Sequence, residues 1–247
     1  MKIARNPARS LAVLALLVSL ATPALPETAE VTDIATFDVI LRGLTAATLT
    51  FSGIQKDGNY AVDGVLKSAG LLSFVRKVHY GAKARGAVQG QKYTPTSYAE
   101  STNTGKRQSQ SEITYRRGVP SAIKYEPARD PRPDAVDPAT MGGSVDPLTS
   151  LYATLRDVDP GEECKTNVKM FDGRRATQLQ LSKPSKAGNQ VTCVGEYRRL
   201  KGFSAKDMAE KSRFPFTLTY SPTNDGRMRV TEIALDTIYG KARMKRR

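Results

Sequence analysis

The sequence predicts an all-β protein built on a curved antiparallel sheet, with two or three short helices. Apolar and polar residues alternate with a period of two through most of the chain, as in strands that have one buried face. Asp-Gly and Gly-Asn pairs interrupt this alternation where hairpin turns are needed. In the last predicted strand the apolar positions change parity between Val230 and Ile233, which is typical of a β-bulge that bends a sheet.

The first half of the chain divides into short alternating segments separated by turn residues. Phe37, Val39 and Leu41 form the apolar face of the first segment. Asp57-Gly58 is a strong signal for a two-residue hairpin turn between the second and third segments. The predicted strands are 37–41, 49–54, 60–66, 78–88, 93–101, 109–116 and 122–126.

The second half alternates more clearly. Asp172-Gly173 predicts a hairpin turn, and the most regular apolar face carries Phe214, Phe216, Leu218 and Tyr220. The predicted strands are 164–171, 174–182, 190–199, 214–220 and 228–239.

Helices are predicted at three places. Asp146 and Pro147 provide an N-cap and a proline at the first helical position. Apolar residues then recur with helical spacing at Leu148, Leu151, Tyr152 and Leu155. Ser204 and Asp207 form a capping-box pattern for a second short helix. A third short segment is indicated by Leu71, Leu72, Val75 and Val78.

The stretch between Glu126 and Val145 is rich in Pro, Asp and Gly, which predicts a long surface loop. Such a stretch can also mark a domain boundary, but a connection within one sheet is the more common arrangement. We therefore predict a single β-rich domain over residues 36–247, preceded by a flexible segment, 25–35.

The N-terminal residues have the pattern of a secretory signal peptide. Three basic residues precede the apolar run Ser10–Ala21, and Thr22 and Ala24 fit positions −3 and −1 of a cleavage site. The run is shorter than the about 20 residues that a membrane-spanning helix needs. We expect residues 1–24 to be removed, although an earlier cut is also compatible, and the product to be exported and soluble.

The charge of the chain narrows the class of partner. Removing residues 1–24 takes away three basic and no acidic residues and lowers the formal charge from +14 to +11. An exported basic protein rarely meets nucleic acid, so the expected partners are envelope lipid or an anionic polymer, with peripheral membrane contact. A basic surface without a dedicated partner is the alternative. The sequence leaves the oligomeric state open.

The two cysteines, Cys164 and Cys193, are expected to form a structural disulfide in an oxidising compartment. In a simple meander the first and third strands lie about 9.6 Å apart, whereas bonded cysteines have Cα atoms within about 6.8 Å. We therefore expect Cys164 to lie in the turn-like segment that begins at Asp159 and crosses beneath the middle strand. A non-sequential strand order is the alternative.

Four segments resemble the exported bacterial family called domain of unknown function 3108: Phe37–Gly43, Val145–Val158, Cys164–Gly173 and Gly195–Ile238. The resemblance covers nearly all of the mature chain. None of these segments is a catalytic signature, and the family supplies no activity to carry onto residues. The resemblance implies a periplasmic location and a sheet curled into an open or partly closed barrel, similar to lipoprotein-carrier and other envelope barrel-like folds.

Catalytic groups are few. His79 is the only histidine, and there is no G-x-S-x-G motif, so a Ser-His-Asp triad is not expected. We interpret His79 as a half-exposed strand residue. Asp130, Asp134 and Asp137 are the best candidates for a calcium site, but their spacing matches no EF-hand. We expect no metal and no cofactor.

Acidic residues leave one enzymatic alternative open. A glycosidase needs only two carboxyl groups about 5–9 Å apart. The strand residues Glu196 and Glu232 are candidates, but we interpret them as outward-facing partners of Arg198 and Arg229. Whether the protein is an enzyme is uncertain from sequence, and no catalytic residue is assigned.

The remaining function class is binding. Basic residues interleave with tyrosines near the ends of two strands, as in sites that hold anionic head groups, although charged edge strands also have this pattern. An incompletely closed sheet would leave an apolar groove for an acyl chain, unless its side chains fill the interior. The candidate anion contacts are Arg198, Arg199, Lys241, Arg243, Lys245, Arg246 and Arg247.

The leading hypothesis is therefore a non-enzymatic periplasmic protein that binds an amphiphilic or anionic envelope component, either lipid, lipopolysaccharide or lipoprotein. The alternatives are an envelope glycan hydrolase with paired carboxylates and a scaffold that recruits proteins by edge pairing.

Overall fold

The structure is a computed structural model that describes residues 30–70, 73, 77–237 and 240–247. In this part of the chain thirteen strands form one antiparallel sheet, as the alternating pattern predicted. The strands are β1 (Val31–Leu41), β2 (Leu44–Lys56), β3 (Asn59–Ser68), β4 (His79–Gln89), β5 (Lys92–Asn103), β6 (Gln108–Arg116), β7 (Val119–Glu126), β8 (Asn167–Phe171), β9 (Ala176–Ala187), β10 (Gln190–Lys201), β11 (Arg213–Pro222), β12 (Met228–Thr237) and β13 (Gly240–Arg246). The helical elements whose bounds are described are a 3-10 turn (Pro138–Thr140), α1 (Pro147–Leu155) and α2 (Ala205–Glu210).

Strands that are adjacent in the sheet are also consecutive in sequence, with one exception. The first strand pairs with the last, so that Phe37 lies opposite Leu49 of β2 on one side and Arg246 of β13 on the other. The order runs from β7 through β1 and β13 to β8, and these two edge strands do not pair with each other. The predicted fold, a curved antiparallel sheet that stays open, is confirmed.

Local sequence signals place the turns and bends of the sheet. Asp57 and Gly58 have φ angles of 50° and 71°, which is the double positive φ of a type I′ hairpin turn. In β12, Glu232 lies opposite Thr219 while Val230 lies opposite the next residue, Tyr220. Thr231 is therefore the extra residue of a β-bulge, at the position where the apolar parity changes.

The sequence predicted a long surface loop after β7. Only part of this connection lies on the surface. Its first part is mostly exposed, but Met141 and Ser144 are each 1% exposed and Val145 is 3% exposed. Val145 forms a parallel bridge with Met170 of β8, which continues the sheet at its edge. The surface-loop prediction is thus wrong for this second part, because isolated apolar residues anchor it in the interior.

Helix α1 occupies the interior of the sheet. Its Tyr152 is fully buried, and Phe51 meets the ring edge to face at a centroid distance of 5.9 Å. A Cβ atom at Gly53 would overlap the Tyr152 ring, and one at Gly64 would meet the Leu148 side chain, so these glycines make room for the helix. The space that an apolar groove would need is filled by the protein's own side chains.

The structure contains the Cys164–Cys193 disulfide, with the Cα atoms 5.3 Å apart. Cys193 lies on the buried face of β10, and Cys164 lies in a turn just before β8 with a φ of 62°. The strand order β8-β9-β10 is sequential, so the preceding segment reaches β10 past the middle strand. This is the route that the strand spacing required.

The remaining predictions concern the helix starts, the N-terminal segment and residues outside the described ranges. Asp146 and Pro147 begin α1, and Ser204 and Asp207 form the capping box of α2, as predicted. Strand β1 begins at Val31, opposite Gln55, so the end of the segment 25–35 is ordered strand and not flexible. The signal peptide and three of the four residues of the third helical segment lie outside the described residues. No helix within the described ranges is long and apolar enough to cross a membrane.

Candidate anion-binding surface

The sheet has two ends with different chemistry. We call upper the end that holds the β8–β9 turn, the β10–β11 connection with α2, and the chain that leaves β7. The lower end holds the β2–β3, β4–β5, β6–β7 and β11–β12 turns and the start of β1.

The predicted basic residues of β13 alternate between the two faces of the sheet. Arg246 points inward, with its side chain only 7% exposed, and pairs with Asp157 at 2.9 Å. Arg247 bonds to Asp38 at 2.6 Å, and this ion pair holds the pKa of Asp38 below its usual value.

On the outer face of the same strand, Arg243 and Lys245 lie 3.9 and 3.8 Å from Glu232. Lys241 is exposed beside them. These contacts are those of a charged surface strand and do not form a concentrated anion site.

The two predicted arginines of β10 also separate. Arg198 pairs with Glu196 at 2.7 Å on the strand surface. Arg199 instead packs between Phe203 and Phe214 at the upper end, with its guanidinium 5.2 and 5.1 Å from the two ring centroids. The structure therefore brings only Arg199 into a larger group of basic residues.

That group, which we call the upper-end cluster, consists of five cations packed on three aromatic rings. Arg129 and Arg174 lie 4.3 and 5.1 Å from the centroid of Tyr125, and Arg175 lies 5.1 Å from that of Phe203. The Lys211 ammonium is 5.0 Å from the centroid of Phe214. The cluster members are Tyr125, Phe203, Phe214, Arg129, Arg174, Arg175, Arg199 and Lys211.

The cations of the upper-end cluster are not neutralised by ion pairs. In the described part of the chain none of the five has a carboxylate oxygen within 4.0 Å. Their hydrogen bonds go to backbone carbonyls: Arg174 donates to Asp130 at 2.8 Å, and Arg199 donates to Asp207 and Lys211 at 2.6 and 2.9 Å. All five side chains are half-buried, so each still reaches solvent.

Local backbone hydrogen bonds hold the turn that carries Arg174 and Arg175. The Asp172 carboxylate accepts the backbone N–H groups of Arg174 and Arg175 at 2.9 and 2.7 Å, which fixes the β8–β9 turn that carries both arginines. Gly173, at a φ of 95°, lies against the Tyr125 hydroxyl, and a side chain there would overlap it. The turn of β8–β9 is thereby docked on β7 across the open side of the sheet.

Two buried polar groups lack hydrogen-bond partners within the described chain at this docking point. The Tyr125 hydroxyl and the Nε of Arg129 are buried and have no hydrogen-bond partner among the described residues. Burial raises the pKa of Tyr125, so the ring stays neutral and attracts both guanidinium groups.

At the lower end, three arginines are instead paired with two buried carboxylates. Asp33 and Asp157 are 2% and 3% exposed. Asp33 binds Arg227 at 3.3 Å, and Asp157 binds Arg229 and Arg246 at 2.6 and 2.9 Å. The prediction that Arg229 pairs with Glu232 is therefore wrong, since Arg229 turns toward Asp157.

The residues considered for chemistry do not assemble into a site. His79 is exposed at the start of β4. Asp134 pairs with Arg132 at 2.6 Å, and Asp137 caps the 3-10 turn. Within the described residues no group of three or more potential metal ligands occurs.

The comparisons with known proteins place this fold in a family. The family model for a protein of unknown function, DUF3108, matches residues 36–200, which is more than half of the chain. The chain belongs to the DUF3108 family. One similar solved structure is a beta-barrel-like protein of DUF1849 from Brucella abortus, with 12% identity and a TM-score of 0.44 over 88% of this chain and 96% of that chain. No curated protein matches the sequence.

Sequence reasoning missed most of the upper-end cluster of this DUF3108 protein. Arg129, Arg174, Arg175 and Lys211 come from three separate connections, and only the fold brings them together. The paired Arg174-Arg175 after Asp172-Gly173 was the one local signal, because a turn of this kind presents consecutive side chains at the end of a sheet.

Proposed function

We propose that this DUF3108 protein is a non-enzymatic periplasmic protein that binds anionic lipid head groups through its upper-end cluster. The observation that carries the proposal is the concentration of five cations without carboxylate partners at one end of the sheet. The signal-peptide pattern and the formal charge of +11 after its removal support the location and the sign of the partner.

The packed interior argues against the hypothesis that an amphiphile binds inside the sheet. Tyr152 and Leu148 of α1 occupy the space where an acyl chain would lie. A head group needs no such cavity, because each Lys or Arg near an anionic surface contributes about 1 kcal/mol through charge alone. We therefore propose surface attachment to lipid rather than enclosure of a lipid.

Vesicle binding tests the proposal. The mature protein is mixed with phosphatidylcholine vesicles that contain or lack phosphatidylglycerol, and the bound fraction is measured by co-sedimentation. We expect binding only to the anionic vesicles. Raising the salt from about 0.1 M to about 1 M should abolish it, because the screening length falls from about 10 to about 3 Å.

Paired charge variants locate the binding surface. Arg174→Gln with Arg175→Gln should weaken vesicle binding by roughly 30-fold, if each charge contributes about 1 kcal/mol. Arg116→Gln with Arg117→Gln is the matched control, since it removes two consecutive exposed arginines, one at the end of β6 and one in the β6–β7 turn, at the lower end. Equal losses in both variants would mean that only net charge matters. Equal binding of wild type to neutral vesicles would also contradict the proposal.

The glycan hydrolase alternative has little support in the site geometry. Glu196 pairs with Arg198 and Arg213, and Glu232 lies between Arg243 and Lys245. Burial raises the pKa of Glu100, as a general acid requires, but this carboxylate is bonded to the hydroxyls of Tyr80 and Tyr98. These contacts are those of a packed interior.

The scaffold alternative depends on an open sheet edge. Strand β7 pairs only with β6 among the described strands. The protein's own chain covers both of its ends: Gly118 accepts a hydrogen bond from Gly143 at 3.0 Å, and Tyr125 contacts Gly173. Pro120 has no N–H to offer a partner strand, so this edge is poorly suited to pairing.

A further inference from the structure

A cavity of about 560 Å³ opens at the lower end, away from the upper-end cluster. It lies between the β2–β3 turn, the β4–β5 turn and the segment that follows α1. The side chains that matter for its chemistry are Gln55, Lys56, Gln91, Arg156, Asp159 and Glu162. Its volume is in the range of about 300–1,000 Å³ that is usual for small-molecule sites.

Arg156 supplies an unpaired positive charge to this cavity. It is the C-cap residue of α1, and its backbone N–H donates to the Tyr152 carbonyl at 3.0 Å. Its guanidinium donates to the neutral carbonyl of Asp157 at 3.2 Å and has no carboxylate within 4.0 Å in the described chain. The same side chain lines a neighbouring cavity of about 310 Å³, so it is approached by open space on two sides.

Asp159 supplies the complementary negative charge. Its carboxylate makes no hydrogen bond or ion pair with any described residue, and the residue is exposed. The other charged residues of the cavity are already engaged, Asp57 among them. Lys56 lies 3.5 Å from Glu30, Arg227 lies 3.3 Å from Asp33, and Glu162 lies 2.5 Å from Lys165.

We propose that this lower-end cavity binds a short peptide with a free carboxylate and a free ammonium group. The peptide carboxylate would bind the Arg156 guanidinium, which can form two parallel hydrogen bonds with it. The ammonium group would bind the Asp159 carboxylate. The two residues are three positions apart on the segment that leads from α1 to the Cys164–Cys193 disulfide, so both charges face the same cavity.

Calorimetric titration of the mature protein with alanyl-alanine tests this inference. The free dipeptide should bind, whereas N-acetyl-alanyl-alanine and alanyl-alanine amide should each bind about 10–100-fold more weakly, which is the usual effect of losing one charge-assisted hydrogen bond.

Two variants and their controls assign the roles. Arg156→Gln should remove the preference for the free carboxylate, and Asp159→Asn should remove the preference for the free amine. Arg116→Gln and Asp63→Asn change exposed residues outside the cavity and should leave binding unchanged. Melting temperatures of all variants show whether each remains folded.

Three results would overturn the inference. One is no measurable binding of the free dipeptide to folded wild type, and another is equal binding of the capped peptides. The third is unchanged dipeptide binding in both folded cavity variants. Because the upper-end cluster is intact in these variants, vesicle binding should persist in all of them, and the two proposals can fail independently.

Discussion

Asp146 is a buried side chain that begins helix α1 and also makes the stability of the protein depend on pH. The residue is fully buried at the N-cap of α1, where its carboxylate accepts the backbone N–H and the hydroxyl of Thr149 at 2.8 and 2.6 Å. Burial raises the pKa of Asp146 to about 6, although these hydrogen bonds act in the opposite direction. The folded protein therefore holds a proton that the unfolded chain releases near pH 4.

The predicted consequence is a loss of stability as the pH rises. The contribution of the Asp146 proton is fully present below the unfolded pKa of about 3.9 and is lost as the pH passes the folded value of about 6. Asp146→Asn keeps a good N-cap but does not titrate. Urea unfolding between pH 4 and 7 should show a smaller decline in the free energy of unfolding for the variant. Identical pH profiles would contradict this assignment.

The segment from α1 to β8 is the element that closes the interior. Its backbone bridges β12 through Val158 and Met228, and Asp157 forms ion pairs with Arg229 and Arg246. The disulfide between Cys164 and Cys193 fastens its far end to β10. These contacts hold α1 inside a sheet whose own edges do not meet.

Removing the disulfide should destabilise the protein without changing what it binds. The two cysteines are 29 residues apart, and a loop of this size is worth about 3–4 kcal/mol in the chain-entropy model. Cys164→Ser with Cys193→Ser should therefore lower the melting temperature by roughly 6–16 °C. Vesicle binding at a temperature where the variant is folded should match wild type. Equal melting temperatures of oxidised and reduced wild-type protein would show that the bond adds no stability.

The elements of this fold could be predicted wherever the signal was local. Turn residues such as Asp57-Gly58, the N-cap Asp146 and the parity change after Val230 act within a few residues, and each is present as predicted. The burial of Met141 could not be predicted, because the Pro- and Gly-rich sequence around it favours a surface loop. Met141 is buried only because the connection passes across the open side of the sheet.

The candidate site was harder to predict for the same reason. Arg129 and Arg174 are far apart in sequence, and both reach Tyr125 only because the β8–β9 turn docks on β7. The C-terminal basic residues looked like a site because they are consecutive in sequence. Strand alternation sends Arg246 to the interior and its neighbours to the outer face, so sequence proximity there does not give a shared surface.

At the scale of the whole molecule, the two ends hold their clustered arginines differently. Two buried carboxylates, Asp33 and Asp157, form ion pairs with Arg227, Arg229 and Arg246 at the lower end. The upper-end cluster has no such partners among the described residues, and its cations are held by rings and backbone carbonyls. An anionic membrane should therefore orient the molecule with its upper end toward the lipid.

Hydrogen–deuterium exchange with and without phosphatidylglycerol vesicles tests this orientation most directly. Binding through the upper-end cluster should slow exchange in the connections 127–132, 172–176 and 201–213, and leave the lower turns 56–59, 89–92 and 116–119 unchanged. Slowed exchange confined to the lower turns, or spread evenly over both ends, would contradict the account.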